Sequence, residues 1–162
     1  MTITDRALSR NFGLGWALLS VAFLTNILED AFTDFVPMYN ATVLTLYGHV
    51  DWFPRLDITP RGWLIGAVLL LVLLFALLPF AFGNAKWLRP FAYLIAVLSI
   101  LLAAGYTALT LRGGTTPSVK FPGVAPGFRT AWLLVVAGIY LLISLWRSTP
   151  ANALQKAPGR AI

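Results

Sequence analysis

The chain has no cysteine and a single histidine, His49, among its 162 residues. The first absence removes disulfides, thiolate metal sites and cysteine nucleophiles, and leaves the redox compartment open. The second removes multi-histidine haem or zinc ligation within one chain. Charge is scarce too: 11% of residues are Asp, Glu, Lys or Arg, against roughly a quarter in a soluble domain. Gly-rich phosphate loops, nucleophile elbows and HExxH helices do not occur, so no complete catalytic signature is present.

What fills the chain instead is apolar: 59% of residues are hydrophobic and the mean hydropathy is +0.79. They come as long runs rather than short amphipathic pieces. The stretches 11–28, 62–85, 90–111 and 130–146 carry no charge, and each approaches the roughly 17–25 residues that cross a hydrocarbon layer. Backbone amides in lipid have no water to bond, and none of the runs alternates with period two, so the spans must be helices. The expected fold is all-α, a polytopic four-helix membrane bundle over residues 1–147, with helices at about 11–33, 62–84, 89–111 and 130–147. Folded loops cover its outer face, and a mobile polar tail follows from 148 to 162. Arg6 and Arg10 ahead of the first run mimic a secretory signal. No small-residue cleavage site follows, so the first helix reads as retained.

The loops differ in kind. Residues 84–89 form a short basic turn, with Pro90 opening the next helix. In 35–61, Val43, Leu44, Tyr47 and Val50 at helical spacing after Pro37 and Asn40 predict a short amphipathic helix at the membrane interface. In 113–128, Gly113-Gly114, Pro117, Pro122-Gly123 and Pro126-Gly127 predict irregular backbone. Ala92 with Ala96, and Ala104 with Ala108, have the small-residue spacing that lets helices approach closely.

The net charge of +6 belongs to basic residues flanking membrane spans, where they attract anionic headgroups; it is no sign of nucleic acid. The short basic turn at 84–89 favours cytoplasmic termini by the positive-inside rule. A Leu/Ala/Arg-rich, cysteine-free composition points to a bacterial plasma membrane. All six acidic residues lie at or before Asp57.

Chemistry, if there is any, concentrates at the end of the first helix. Asn26 and Asp30, then Asp30 and Asp34, stand four residues apart on one helical face, with Glu29 beside them. A neutral acid next to a carboxylate is general acid/base equipment: Glu29 and Asp30 would act as acid and base, Asp34 would tune them, and Asn26 would orient a substrate. Alternatively, a hard divalent cation could be held by Glu29 and Asp30 with His49, or an arginine such as Arg129 could neutralise the cluster. A solvated helix end is the plain alternative, since Glu29 falls close to the far membrane interface, where charge is cheap.

The string Asn26-Ile27-Leu28-Glu29-Asp30 resembles the motif that names the HXXEE family of small bacterial integral membrane proteins. Asn26 stands where that motif has its histidine, and Asp30 where it has its second glutamate. Phe121-Pro122-Gly123 is similar to a Pro-Gly turn in the family's last loop. The resemblance implies a small bacterial membrane protein and carries no established reaction.

Two function classes fit these residues. One is a protein that binds or converts a small apolar molecule, lipid or isoprenoid-like, at the carboxylate cluster. The other is a non-catalytic accessory subunit of a larger membrane complex or homo-oligomer. Transport would need several copies, because four helices leave little room for a water-filled path.

Overall fold

The computed structural model describes residues 3–50, 52, 54–116, 119–120 and 123–148. Of the polar tail expected from 148 onward, residues 149–162 lie outside the described residues. Helices α1 (Ile3–Phe32), α2 (Phe35–His49), α3 (Pro60–Ala76), α4 (Leu78–Phe82), α5 (Arg89–Arg112) and α6 (Phe128–Ser148) follow in order, with a single 3-10 turn at Lys86–Leu88 before α5. Four segments are long and apolar enough to cross a membrane: Ser9–Phe32, Pro60–Phe82, Lys86–Arg112 and Phe128–Arg147. The expected all-α bundle of four spans, and with it a multi-pass membrane protein, is what forms. The first helix starts earlier than its apolar run because a helix need not end where the lipid does.

The second span is interrupted. Pro79 has no N–H for the carbonyl of Phe75 and its ring crowds that carbonyl, so the helix breaks at Leu77 into α3 and α4. One turn before the break, the carbonyl of Leu74 accepts a 2.8 Å hydrogen bond from the buried indole Nε1 of Trp16. Thr59 caps the start of α3, its hydroxyl accepting from the amide of Gly62 at 3.0 Å, and Pro60 occupies the first turn without cost.

Lateral order follows from which faces pack. The stripe Phe12, Trp16, Leu19 and Ala22 on α1 is buried, as are Ala131, Leu134, Ala137, Leu141 and Leu145 on α6. α1 and α5 each run along α6, and α3 with α4 lie against the other side of α1. Removing α1 would therefore take out the centre of the bundle. Lipid tails are as apolar as leucine, so these helices associate through close approach rather than hydrophobic transfer.

On α5 the contact stripe is Ala92, Ala96, Ser99 and Ala103, all buried. The pair Ala92 and Ala96 packs as its spacing suggests. Ala104 and Ala108 are exposed, because the 3.6-residue turn carries them to the lipid side of the same helix. Opposite the stripe lies Gly138 of α6, where an added Cβ would come within 2.6 Å of Ser99 Oγ and 3.0 Å of the Ala96 carbonyl.

α3 and α5 terminate the row α3–α1–α6–α5 and touch each other little. The bundle is open between them.

The longer connections meet at one end, the end where α1 and α5 finish. The amphipathic helix expected after Pro37 is α2. It begins two residues sooner and buries Val36, Met38 and Val43 while exposing Leu44, Leu46 and Tyr47. Asn40 clamps the segment returning to α3: its Nδ2 donates to the Ile58 carbonyl at 2.8 Å and its Oδ1 accepts from the Ile58 amide at 2.9 Å. The segment expected to be wholly irregular contains a small hairpin, β1 (Gly114–Thr116) with β2 (Val119–Lys120), antiparallel with Gly114 opposite Lys120. Gly113 launches it from the left-handed region at φ 68°, the usual glycine stop of a helix. Both strands contact α2.

Filling the α5–α6 contact should overpack it. Gly138→Leu is expected to cost about 1–3 kcal/mol, read as a lower unfolding temperature in detergent.

Candidate functional site

The polar residues at the end of α1 divide into three fates. Asn26 is buried, and its Nδ2 donates both to the Gly127 carbonyl and to Thr130 Oγ1, each at 3.1 Å. Glu29 reaches the start of α6: Oε1 accepts from the Arg129 amide at 3.0 Å, and Oε2 accepts from the Thr130 amide at 2.8 Å and from its hydroxyl at 2.7 Å. The first amides of a helix have no partner within it, and a negative charge there meets the positive end of the helix dipole. Glu29 thus caps α6 from another helix. Thr130 Oγ1 accepts from Asn26 and donates to Glu29, which ties the two α1 side chains into one network.

Asp30 points elsewhere. It is 5% exposed; its Oδ2 accepts a 2.9 Å hydrogen bond from the Tyr106 hydroxyl of α5, and among the described residues no donor reaches Oδ1. The close approach that shields this carboxylate depends on Gly127. That residue has φ 75°, and a Cβ on it would lie 2.6 Å from Tyr106 Cζ and 2.7 Å from Asp30 Oδ1.

Asp34 does not join them. The spacing argument assumed one continuous helix, but α1 ends at Phe32 and Asp34 stands exposed in the turn before α2. Pro37 accounts for the break, since in a continuous helix its ring would collide with the carbonyl of residue 33. The Thr33 hydroxyl instead folds back onto the Glu29 carbonyl at 2.9 Å, and the Thr33 carbonyl accepts from the Phe35 amide at 2.8 Å.

The cation site expected from Glu29, Asp30 and His49 does not assemble either. His49 is exposed at the last position of α2, its Nδ1 2.7 Å from the Thr45 carbonyl. Among the described residues no three His, Asp or Glu side chains gather. Asp51, two residues after His49, lies outside the described residues. Arg129 meets Glu29 through its backbone amide rather than its guanidinium. Among the described residues no Lys or Arg nitrogen lies within 4.0 Å of the Glu29 or Asp30 carboxylate, whereas Arg55 pairs with Asp57 at 3.0 Å.

Asn26, Asp30 and Tyr106 form the polar end of a cavity of about 360 Å³ in the gap between α3 and α5. Phe23, Phe35 and Trp63 make its aromatic wall, and Gly66, Leu70 and Leu102 continue it along the helices. The Phe35 and Trp63 rings lie 5.7 Å apart, tilted by 41°. A Cβ added at Gly66 would meet no atom within 4 Å beyond its own helix backbone, so there is open space at that point of α3. Its volume falls in the lower part of the roughly 300–1,000 Å³ span of small-molecule pockets.

The roles of Thr130 and Gly127 escaped the sequence reading, and so did the pairing of Tyr106 with Asp30. Tyr106 carried a signal: it continues the buried stripe of α5 three residues after Ala103. Thr130 and Gly127 carried none, because their role comes from a helix about a hundred positions away. Comparison with known proteins returns no matching family model, no matching curated protein and no matching solved structure. Of the Pro-Gly turn behind the family resemblance, Phe121 and Pro122 lie outside the described residues.

Glu29→Gln would set an amide N–H against the donors of α6. The loss should be about 1–3 kcal/mol of stability, seen in denaturant or thermal unfolding, with Glu29→Asp, too short to reach, no better. Gly127→Ala should be at least as damaging, since it combines an unfavourable φ with the two contacts above.

Proposed function

We propose that this membrane protein binds a small apolar molecule, lipid or isoprenoid-like, that enters the cleft between α3 and α5 from the bilayer. The observation that carries the reading is a cavity of about 360 Å³, apolar along its length, with the polar side chains Asn26, Asp30 and Tyr106 gathered at one end. An apolar pocket with a few convergent polar groups is the usual form of a small-molecule site.

In this reading the α1 residues divide their work. Glu29 and Asn26 fix α6 and so hold the cleft in shape, while Asp30 and Tyr106 meet the polar end of the guest. The apolar wall of Leu70, Leu102 and Phe23 takes its chain. If the site also performs a reaction, the Asp30 carboxyl and the Tyr106 hydroxyl bonded to it are the groups placed to move a proton. The alternative, an accessory subunit, would fill the same cleft with a helix from another chain.

Gly66→Leu separates these outcomes without threatening the helix, because leucine favours helix over glycine and no atom stands in its way. The probe is dodecanol bearing a terminal diazirine, photolysed with the protein in phosphatidylcholine nanodiscs and mapped by peptide mass spectrometry. Labelling should concentrate on the cleft faces of α3 and α5 and fall at least tenfold in Gly66→Leu, whose unfolding temperature stays at or above the parent's. Uniform labelling of all lipid-facing helices, unchanged in the variant, would refute the cleft as a binding site. A protein held at fixed stoichiometry and lost in Gly66→Leu would favour the accessory subunit.

A further inference from the structure

Resting on the cleft as a binding site, we infer that its guest is an uncharged amphiphile whose head is a hydroxyl group. The lining holds no partner for a charged head. Among the described residues, none of those lining the cavity is Lys, Arg, His or Glu. The one acid among them has no oxygen to spare: Asp30 Oδ1 is sealed against Gly127, and Oδ2 holds the Tyr106 hydroxyl. Glu29 is spent on the start of α6. A charge drawn from the headgroup layer into such a place loses its solvation and gains no counter-ion, a far larger cost than that of a neutral dipole.

What remains is a small inventory of neutral hydrogen-bonding atoms. Asn26 has committed both amide hydrogens, to the Gly127 carbonyl and to Thr130 Oγ1, so its side-chain oxygen is left as an acceptor. Among the described residues no donor reaches that oxygen, and unlike Asp30 Oδ1 it is not sealed. Asn26 is otherwise buried, and the little surface it keeps belongs to the cavity it lines. On the α3 side, Trp63 brings an indole N–H that no described acceptor takes and that is not sealed either. The nearby backbone adds no donor: the amide of Gly62 is held by Thr59 Oγ1 at 3.0 Å, that of Ile58 by Asn40 Oδ1 at 2.9 Å, and that of Phe35 by the Thr33 carbonyl at 2.8 Å.

The cavity thus offers an open acceptor on Asn26 and an open donor on Trp63, both uncharged. A hydroxyl answers both, since it donates its hydrogen and accepts on its oxygen. A ketone, ester or ether oxygen can accept from Trp63 but sets no hydrogen against the Asn26 oxygen, and a bare hydrocarbon end leaves both unmet. Away from this end the walls are apolar, with Phe23, Leu70 and Leu102, so the guest beyond its head is apolar too. Long-chain alcohols and prenols share this chemistry, and both dissolve in the bilayer from which the cleft is reached.

The test uses twelve-carbon diazirine probes that differ only in the head, which is hydroxyl, methoxy, trimethylammonium or sulfonate, on the full chain in phosphatidylcholine nanodiscs. Cleft labelling is divided by labelling of the exposed face of α6 at Val136 and Ile139, which corrects for partitioning into the bilayer. The hydroxyl probe should label the cleft about tenfold more than either charged probe and about threefold more than the methoxy probe. Trp63→Phe keeps an aromatic ring in the wall and removes the N–H. It should lower hydroxyl and methoxy labelling alike, by about threefold, and keep the hydroxyl ahead, because that preference belongs to Asn26. Dodecanol and farnesol should each displace the hydroxyl probe, and the stronger competitor identifies a straight or a prenyl chain. Should Trp63→Phe fold poorly, the four-probe comparison on the parent still decides. A charged or methoxy probe that labels the cleft as strongly as the hydroxyl probe would overturn the hydroxyl assignment while leaving the cleft standing. Labelling unchanged in Trp63→Phe would overturn the donor half of the assignment, and absence of cleft labelling by any probe would take both readings down.

Discussion

The contact between the last turn of α1 and the first turn of α6 determines most of what is distinctive in this protein. Glu29 takes three hydrogen bonds from Arg129 and Thr130, and Asn26 adds two more to Gly127 and Thr130. In water such bonds would compete with solvent. Near the edge of a bilayer the helix start has few other partners, so a side chain that supplies them sets where the helix begins. With α1 and α6 locked, Gly127 is pressed against Asp30 and Tyr106, and the acidic group is shielded at the mouth of the cleft.

That junction also explains why the bundle can remain open on one side. α6 lies between α1 and α5: its Gly138 faces Ala96 and Ser99 of α5, and its Leu141 and Tyr140 lie against Gly15 of α1. α3 and α4 are held by α1, by the Trp16 bond to Leu74 and by the Asn40 clamp on the segment leading into α3. None of these contacts needs α3 to meet α5. A gap in a soluble bundle would be closed by the hydrophobic effect, but in lipid the pressure to close it is weak. The open side is a stable consequence of the medium.

Legibility in the sequence tracked the range of the interactions. Four charge-free runs made the spans readable, and the acidic string in an apolar helix made Asn26, Glu29 and Asp30 visible. Their separate roles were hidden, because what distinguishes Glu29 from Asp30 is a partner on α6 in one case and on α5 in the other. Asp34 was placed on the same face by assuming that the helix continued, although Pro37 was there to argue against it. Small-residue spacing identified Ala92 and Ala96 but also Ala104 and Ala108, since spacing alone does not say which face meets a neighbour. Tyr106 was readable as the continuation of a stripe; Thr130 and Gly127 were not readable from any local pattern.

The central claim is that the gap between α3 and α5 is an occupied site whose polar end is Asp30. An experimental structure of the protein in lipid nanodiscs tests it most directly. The account predicts elongated density lying between Gly66 and Leu102, with its head at the polar end formed by Asn26, Asp30 and Tyr106 and with Glu29 bonded to the start of α6. Contradiction would be a closed bundle, with α3 packed along α5 and no density between Gly66 and Leu102.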